Sequence, residues 1–310
     1  MRIFVVGAGG AGAYFAARWA EAGRDVTLLA RGRQLEAIQR GGVTLRTPDG
    51  DTAVPVRVTA EAADAASADI VLFATKTWQL AGAVAPVAPH LRPEAVVLGV
   101  HNGVDAADEL AAACGRARAL GGTLRIISYV ESPGVIRHVG IPPTITIGEL
   151  GGGRTPRVER VREALHVGPK AAVDVSDDIQ LEIWKKFLFF APVSGMGAVT
   201  QVPIGVFRAN PDSRAMLVAA MREVEAVGRS RGIPFAPDAV DQALAFIDRS
   251  PPDGTTSLSR DVGEGRPSEI AALSGAVARM GRAAGIATPA HDFIAAVIAP
   301  REGRARAAMA

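Results

Sequence analysis

The stretch that decides the fold is RIFVVGAGGAGAYFAARWAEAGRDVTLLARGR, residues 2–33. It opens with a β-branched, apolar run at 2–6, the signature of a strand buried on both faces. Gly7-Ala8-Gly9-Gly10-Ala11-Gly12 follows at once. A helical stripe over 13–22 comes next and is closed by Gly23, a residue suited to the left-handed turn that ends a helix. A second buried-type strand occupies 26–29. A G-x-G-x-x-G loop means little in a chain with 34 glycines, but placed between a first strand and the helix it opens, it has the context that dinucleotide binding needs. The first glycine permits the tight turn, the second lets backbone N–H groups reach a pyrophosphate, and the third brings helix and strand together. The helix N-terminus adds partial positive charge toward the anion. Gly7, Ala8, Gly9, Gly10, Ala11 and Gly12 are therefore the expected phosphate cradle.

The end of the second strand indicates which dinucleotide is bound. A protein that reads the ribose hydroxyls of NAD places Asp or Glu there. This chain has Ala30-Arg31-Gly32-Arg33 and no acid. A carboxylate would repel a 2′-phosphate, whereas a guanidinium binds it through two parallel hydrogen bonds. Arg31 is the expected 2′-phosphate contact and NADPH the expected cofactor. Two further segments follow strand-like runs at 70–74 and 96–100: Thr75-Lys76-Thr77-Trp78-Gln79 and His101-Asn102-Gly103. Ligands of parallel sheets bind at these carboxyl ends, so Lys76 and Asn102 can hold phosphate, ribose or substrate.

Strands alternate with helical or loop segments through the first half, which implies a parallel sheet covered on both faces. Residues 43–58, with the turn Pro48-Asp49-Gly50, read as an inserted hairpin. From 123 to 148, Pro133-Gly134 and Pro142-Pro143 suggest turns between short antiparallel strands. Beyond about 175 the pattern is helical. Helices are expected at 182–191, from Asn210-Pro211 to Gly232, around Val240, Leu244 and Ile247, and from Pro267 to Gly285. The expected architecture is an α/β Rossmann-type dinucleotide-binding domain over 1–175 and an all-α domain over 176–310, with the active site in the cleft between them.

Composition narrows the function. Apolar residues make up 48% and charged ones 21%, which excludes intrinsic disorder. The net charge is +2, from 34 basic and 32 acidic residues. Arginine is spread along the chain with no basic face, so no nucleic-acid partner is expected. The dense tail Arg301, Arg304, Arg306 reads as a solvated terminus. A single cysteine, Cys114, forms no intramolecular disulfide and reads as a small structural residue. The five histidines are scattered, so no metal site is expected. Residues 187–199 are apolar but too few to span a bilayer. The expected location is the cytoplasm.

Taken together, GAGGAG at 7–12, Arg31, TKTWQ at 75–79, HNG at 101–103, WKK at 184–186 and TSLSRD…GRPSEI from Thr256 to Ile270 resemble the ketopantoate (2-dehydropantoate) 2-reductase family. The resemblance covers nearly the whole chain. It implies NADPH-dependent reduction of a 2-oxo acid, 2-dehydropantoate to pantoate in pantothenate biosynthesis. It also implies residue roles: Lys186 as the catalytic lysine, Asn102 touching cofactor and substrate, Ser257 at the substrate carboxylate, Glu269 near the lysine and the nicotinamide ribose, and Lys76 on the cofactor side. The chemistry suits those residue types. Hydride delivered to a carbonyl carbon leaves negative charge on its oxygen, and a protonated lysine can both stabilise that charge and supply the proton. Desolvation would lower the lysine's pKa and Glu269 would oppose that shift. Lys185 projects about 100° away around the helix and should not share the task.

The resemblance fails at one helix face. Phe190 and Ser194 lie four and eight residues beyond Lys186, on the same side of a helix, where the family has asparagines. Substrate contacts are expected from Asn102, Ser194, Ser257 and Phe190, the last as an apolar wall. The alternatives are a more apolar 2-oxo acid, an imine, or an NADPH-binding sensor without turnover. The partner is a small molecule, with no membrane involved, and the helical half offers faces on which two copies could form a homodimer.

Overall fold

A computed structural model describes residues 1–308. Its described residues divide into two units, 1–101 with 105–179, and 102–104 with 180–308. In the first unit, β1 (Ile3–Val6) leads through the glycine loop into α1 (Gly10–Glu21), followed by β2 (Val26–Leu29) and α2 (Gly32–Gly41). Next come β3 (Val43–Thr47), β4 (Gly50–Val54), β5 (Arg57–Thr59), β6 (Ile70–Phe73), α3 (Leu80–Val87), β7 (Val96–Gly99) and α4 (Ala106–Cys114). The long pair β8 (Ala119–Ser132) and β9 (Val135–Glu149), then α5 (Pro156–Leu165) and β10 (Ala172–Val175), complete it. The sheet order is β4-β3-β9-β8-β7-β6-β1-β2-β5, and β10 pairs with β9.

β1 is parallel to both neighbours, Ile3 opposing Val26 on one side and Ile70 on the other. Its alternation sorts two cores. Ile3 and Val5 join the cluster of Phe15 and Trp19 from α1, while Phe4 and Val6 join Leu80 and Val84 from α3. Both faces are thus covered by helices, which is why these strands are apolar throughout. Trp19 Nε1 donates to Leu165 O at 2.6 Å and the Tyr14 hydroxyl to Lys170 O at 3.0 Å, fastening α1 to the segment that carries α5 and β10.

Local sequence patterns and the structure part company at several points. The inserted hairpin ends at Val54, and Arg57–Thr59 is a separate strand parallel to β2. Pro142-Pro143 makes no turn. Both prolines lie inside β9, where residues 140–143 bulge between the pairs Val139–Ile127 and Thr144–Arg125, so no ladder N–H is demanded of them. Pro267 opens no helix, because the Ser268 N–H is drawn to Glu302 instead.

The second unit holds α6 (Ile179–Thr200, whose first residue clusters with the first unit), α7 (Ile204–Ala209), α8 (Pro211–Ser230), α9 (Ala239–Asp248), α10 (Ser257–Gly263), α11 (Ser274–Ala284) and α12 (Pro289–Ala307). Asn210 caps α8 as expected, its side chain accepting from Asp212 N and Ser213 N. The expected stripe Leu217, Met221, Val224, Val227 is buried. Trp184 of α6 packs edge-on against Phe235, and a Cβ at Gly228 would stand 3.0 Å from its ring, which is why a small residue sits there. Arg301 and Arg304 of the arginine tail are exposed, as expected, but the segment is helical. It is the last part of α12, with Ala305 buried and Arg306 paired to Glu302. No helix among the described residues is long and apolar enough to cross a membrane.

Candidate active site

The glycine loop has the shape its sequence requires. Gly7 has φ +108°, open only to glycine at low cost. A Cβ at Gly12 would fall 2.0 Å from Gly7 O, and one at Gly10 would fall 2.6 Å from Ser128 O on β8. The loop is therefore closed on these sides. At Gly9, by contrast, nothing stands within 4 Å, so the backbone there faces open space beside the first turn of α1. This arrangement fits a pyrophosphate approaching backbone N–H groups at a helix N-terminus.

Around the loop, Gln34 of α2 donates to Ala8 O at 2.9 Å and accepts from Gly134 N at 3.0 Å. It thus ties the loop to the β8–β9 turn. No spacing in the sequence singles it out. Arg31, the N-cap residue of α2, is exposed just beyond β2, and Arg33 is exposed two residues on. Thr75 Oγ1 lies 3.2 Å from His101 Nε2, joining the two segments after β6 and β7. Lys76 begins a short 3₁₀ turn and is half-buried.

The second unit gathers three of the expected residues. Lys186 Nζ on α6 donates to Asn102 Oδ1 at 3.0 Å, and Asn102 Nδ2 donates to Glu269 Oε2 at 2.9 Å. Gly103 makes this possible. Its φ is +90° and a Cβ there would stand 2.7 Å from Ala272 O, so only glycine lets residues 102–104 lie against the turn that follows Glu269. Glu269 is 5% exposed. Lys186 is half-buried, and burial of its ammonium pulls the pKa down to about 8, with the Glu269 carboxylate acting in the opposite direction. A lysine so placed carries its proton at neutral pH and releases it readily.

Phe190 is half-buried, with Lys186 Nζ 5.3 Å from its ring centroid. Phe189 packs at 4.8 Å against Phe246, which is 42% exposed. Ser194 is completely enclosed and its hydroxyl makes no hydrogen bond. Ser257 is half-buried at the start of α10, behind the N-cap Thr256. Lys185 points away and pairs with Glu182 at 2.9 Å.

Residues 3–152 match the model of the family described as ketopantoate reductase PanE/ApbA, and residues 178–302 match that of its C-terminal part. The chain belongs to the ketopantoate reductase family. It is accordingly an NADP-dependent oxidoreductase with a Rossmann-like mixed-sheet domain and a helical domain. A 2-dehydropantoate 2-reductase of Mesorhizobium japonicum is 33% identical over 322 residues, covering 96% of this chain and 97% of that protein. An uncharacterized oxidoreductase YkpB of Bacillus subtilis is 29% identical, covering 95% and 96%. A crystal structure of a PanE/ApbA family ketopantoate reductase from Ralstonia eutropha JMP134 superposes with a TM-score of 0.88 at 27% identity, covering 99% of this chain and all of that one.

Proposed function

We propose that this protein uses NADPH to reduce a 2-oxo acid to a 2-hydroxy acid, with 2-dehydropantoate as the first substrate to assay, since the relatives' names point to it. The observation that carries this reading is the hydrogen-bonded run Lys186–Asn102–Glu269, with the lysine's pKa lowered to about 8. A bound nicotinamide dinucleotide supplies the hydride. Lys186 donates a hydrogen bond to the substrate carbonyl, stabilises the charge that develops on its oxygen, and transfers its proton there. Asn102 fixes the direction of the ammonium, and Glu269 fixes Asn102 while favouring the charged lysine. The Gly7–Gly12 loop and the start of α1 cradle the pyrophosphate, Arg31 takes the 2′-phosphate, and Lys76 lies on the cofactor side. Ser257 serves the substrate carboxylate. Ser194, enclosed with its hydroxyl unpaired, is the remaining polar group proposed for the substrate side.

Phe190 favours a second reading within the same chemistry. An aromatic ring beside the reacting cation offers no hydrogen bond to a substrate hydroxyl, and a buried polar group left unpaired costs about 1–3 kcal/mol. A more apolar 2-oxo acid, or an imine, fits that wall better. The deciding experiment is NADPH oxidation by the purified protein with 2-dehydropantoate, branched-chain and aryl 2-oxo acids. Turnover of at least one supports the reductase. Tight NADPH binding with no turnover of any would identify a sensor. We place the enzyme in the cytoplasm, where its lone buried Cys114 needs no partner. A homodimer, to be checked by sedimentation velocity, completes the reading.

A further inference from the structure

The loop that presents Glu269 is held from an element remote in sequence. Ser268, immediately before it, is completely buried. Its backbone N–H and its hydroxyl both donate to one oxygen, Oε2 of Glu302 on α12, at 2.9 and 2.6 Å. The same hydroxyl accepts from Ile270 N at 3.5 Å, so the residues on either side of Glu269 are tied together. Glu302 keeps only 11% of its side chain exposed, and its other oxygen lies 2.6 Å from Arg306 Nε. The result is a continuous run from the last turns of α12 to the ammonium: Arg306, Glu302, Ser268, then Glu269, Asn102 and Lys186.

We propose that Glu302 is a positioning residue, which holds Ser268 by two hydrogen bonds so that the Glu269 carboxylate meets Asn102 and Asn102 directs Lys186. The end of α12 is thereby a working part of the lysine centre. Glu302 acts through the loop and not through its own field: among the described residues, the Glu269 carboxylate is the charge that favours the protonated Lys186 ammonium, while Glu182 is engaged by Lys185. Loosening Ser268 frees Glu269 to swing, which weakens its support for the charged lysine and misdirects the ammonium.

The experiment has two arms, and only the kinetic one rests on the reductase reading. The first follows the titration of Lys186 by NMR in protein carrying ¹³C-labelled lysine. The chain has four lysines, Lys76, Lys170, Lys185 and Lys186, so the Lys186 signal is assigned by its loss in Lys186→Ala. In Glu302→Ala its midpoint should fall by about half a pH unit as Glu269 loosens. The second arm measures turnover: kcat should fall about tenfold, as expected for a misplaced group, while NADPH affinity stays unchanged. Glu302→Gln keeps an oxygen that accepts both Ser268 donors, and the partly exposed pair to Arg306 contributes little. It should therefore restore both readings to within about twofold of wild type, a rescue that a purely structural role would not require.

Wild-type midpoint and kcat in a folded Glu302→Ala protein would overturn the proposal, as would a Gln variant as impaired as the Ala one. If Glu302→Ala does not fold, Ser268→Ala removes the hydroxyl donor alone. The same two shifts are then expected, and unchanged values are again fatal to the idea. If the wild type reduces no 2-oxo acid, the reductase reading fails by itself and the NMR arm still decides this one.

Discussion

A lysine with a pKa of about 8 is still mostly charged at pH 7, and that sets the working range of the residue that defines this site. As proton donor it should give a kcat for reduction that holds at neutral pH and falls as pH rises through about 8. Lys186→Ala should lower kcat by roughly 10²–10⁴. Steady-state pH profiles of the two proteins check both statements. Stability runs the other way. The unfolded lysine keeps its proton to about pH 10.5, whereas the folded one loses it near 8, so between those values the unfolded state binds more protons and folding becomes more favourable as pH rises. Below 8 the full cost of the desolvated charge is present. Lys186→Met should therefore raise the melting temperature at pH 7 while abolishing turnover, the mark of a residue kept for chemistry. At the other end of the sequence motif, Arg31→Ala should weaken NADPH by about 1.5–3 kcal/mol, the loss of a charge-assisted contact, and leave NADH nearly unaffected. Fluorescence titration with both coenzymes tests this, and equal weakening would remove Arg31 from phosphate recognition.

At the scale of elements, two glycines do opposite jobs. Gly103 is confined by its φ of +90° and by Ala272 O, whereas Gly9 meets nothing within 4 Å and has φ −76°. Gly103→Ala should lower stability by about 1–3 kcal/mol through backbone strain, and should cut kcat by displacing Asn102. Gly9→Ala should leave the melting temperature near wild type and reduce dinucleotide affinity, because its Cβ would occupy the space that the phosphates need. Thermal denaturation alongside NADPH titration separates the two effects. Periodicity and turn residues indicated both sites as loops after strands, but not which glycine answers to protein and which to ligand. That distinction depends on Ala272, a residue far along the chain. Pro142-Pro143 makes the same point: a pair that locally signals a turn is carried inside a strand because the opposite strand lets it bulge.

Over the whole helical unit, stability depends on polar groups that no local pattern reveals. Glu223 of α8 accepts from Ala290 N at 2.8 Å and His291 N at 3.0 Å, capping the start of α12 from another helix. Burial raises the pKa of this carboxyl, and the two N–H donors act against that rise. His291 is fully buried, its Nε2 3.1 Å from Ala220 O, and burial lowers its pKa to about 4. An unfolded histidine protonates near 6.5, so between 6.5 and 4 the unfolded state binds the extra proton and stability falls with acidification. Melting temperatures measured across that range should drop, and His291→Gln should flatten the slope. An unchanged slope would clear His291 of the effect.

The sequence by itself determined the βαβ opening, the glycine loop, the absence of an acid after the second strand, and the helical second half. Each is written in short-range terms: periodicity, caps, and residues adjacent to a strand end. What only the tertiary structure decided are the encounters between distant segments, Lys186 with Asn102 and Glu269, Gln34 with the glycine loop, and Glu302 with Ser268. Hydrogen bonds of this kind join residues 26 to 167 positions apart, and a chain carries no local mark of where its remote parts will meet. The arginine tail shows the cost of reading locally: composition makes it a solvated end, and packing makes it the last turns of α12, with Arg301 and Arg304 exposed and Ala305 buried.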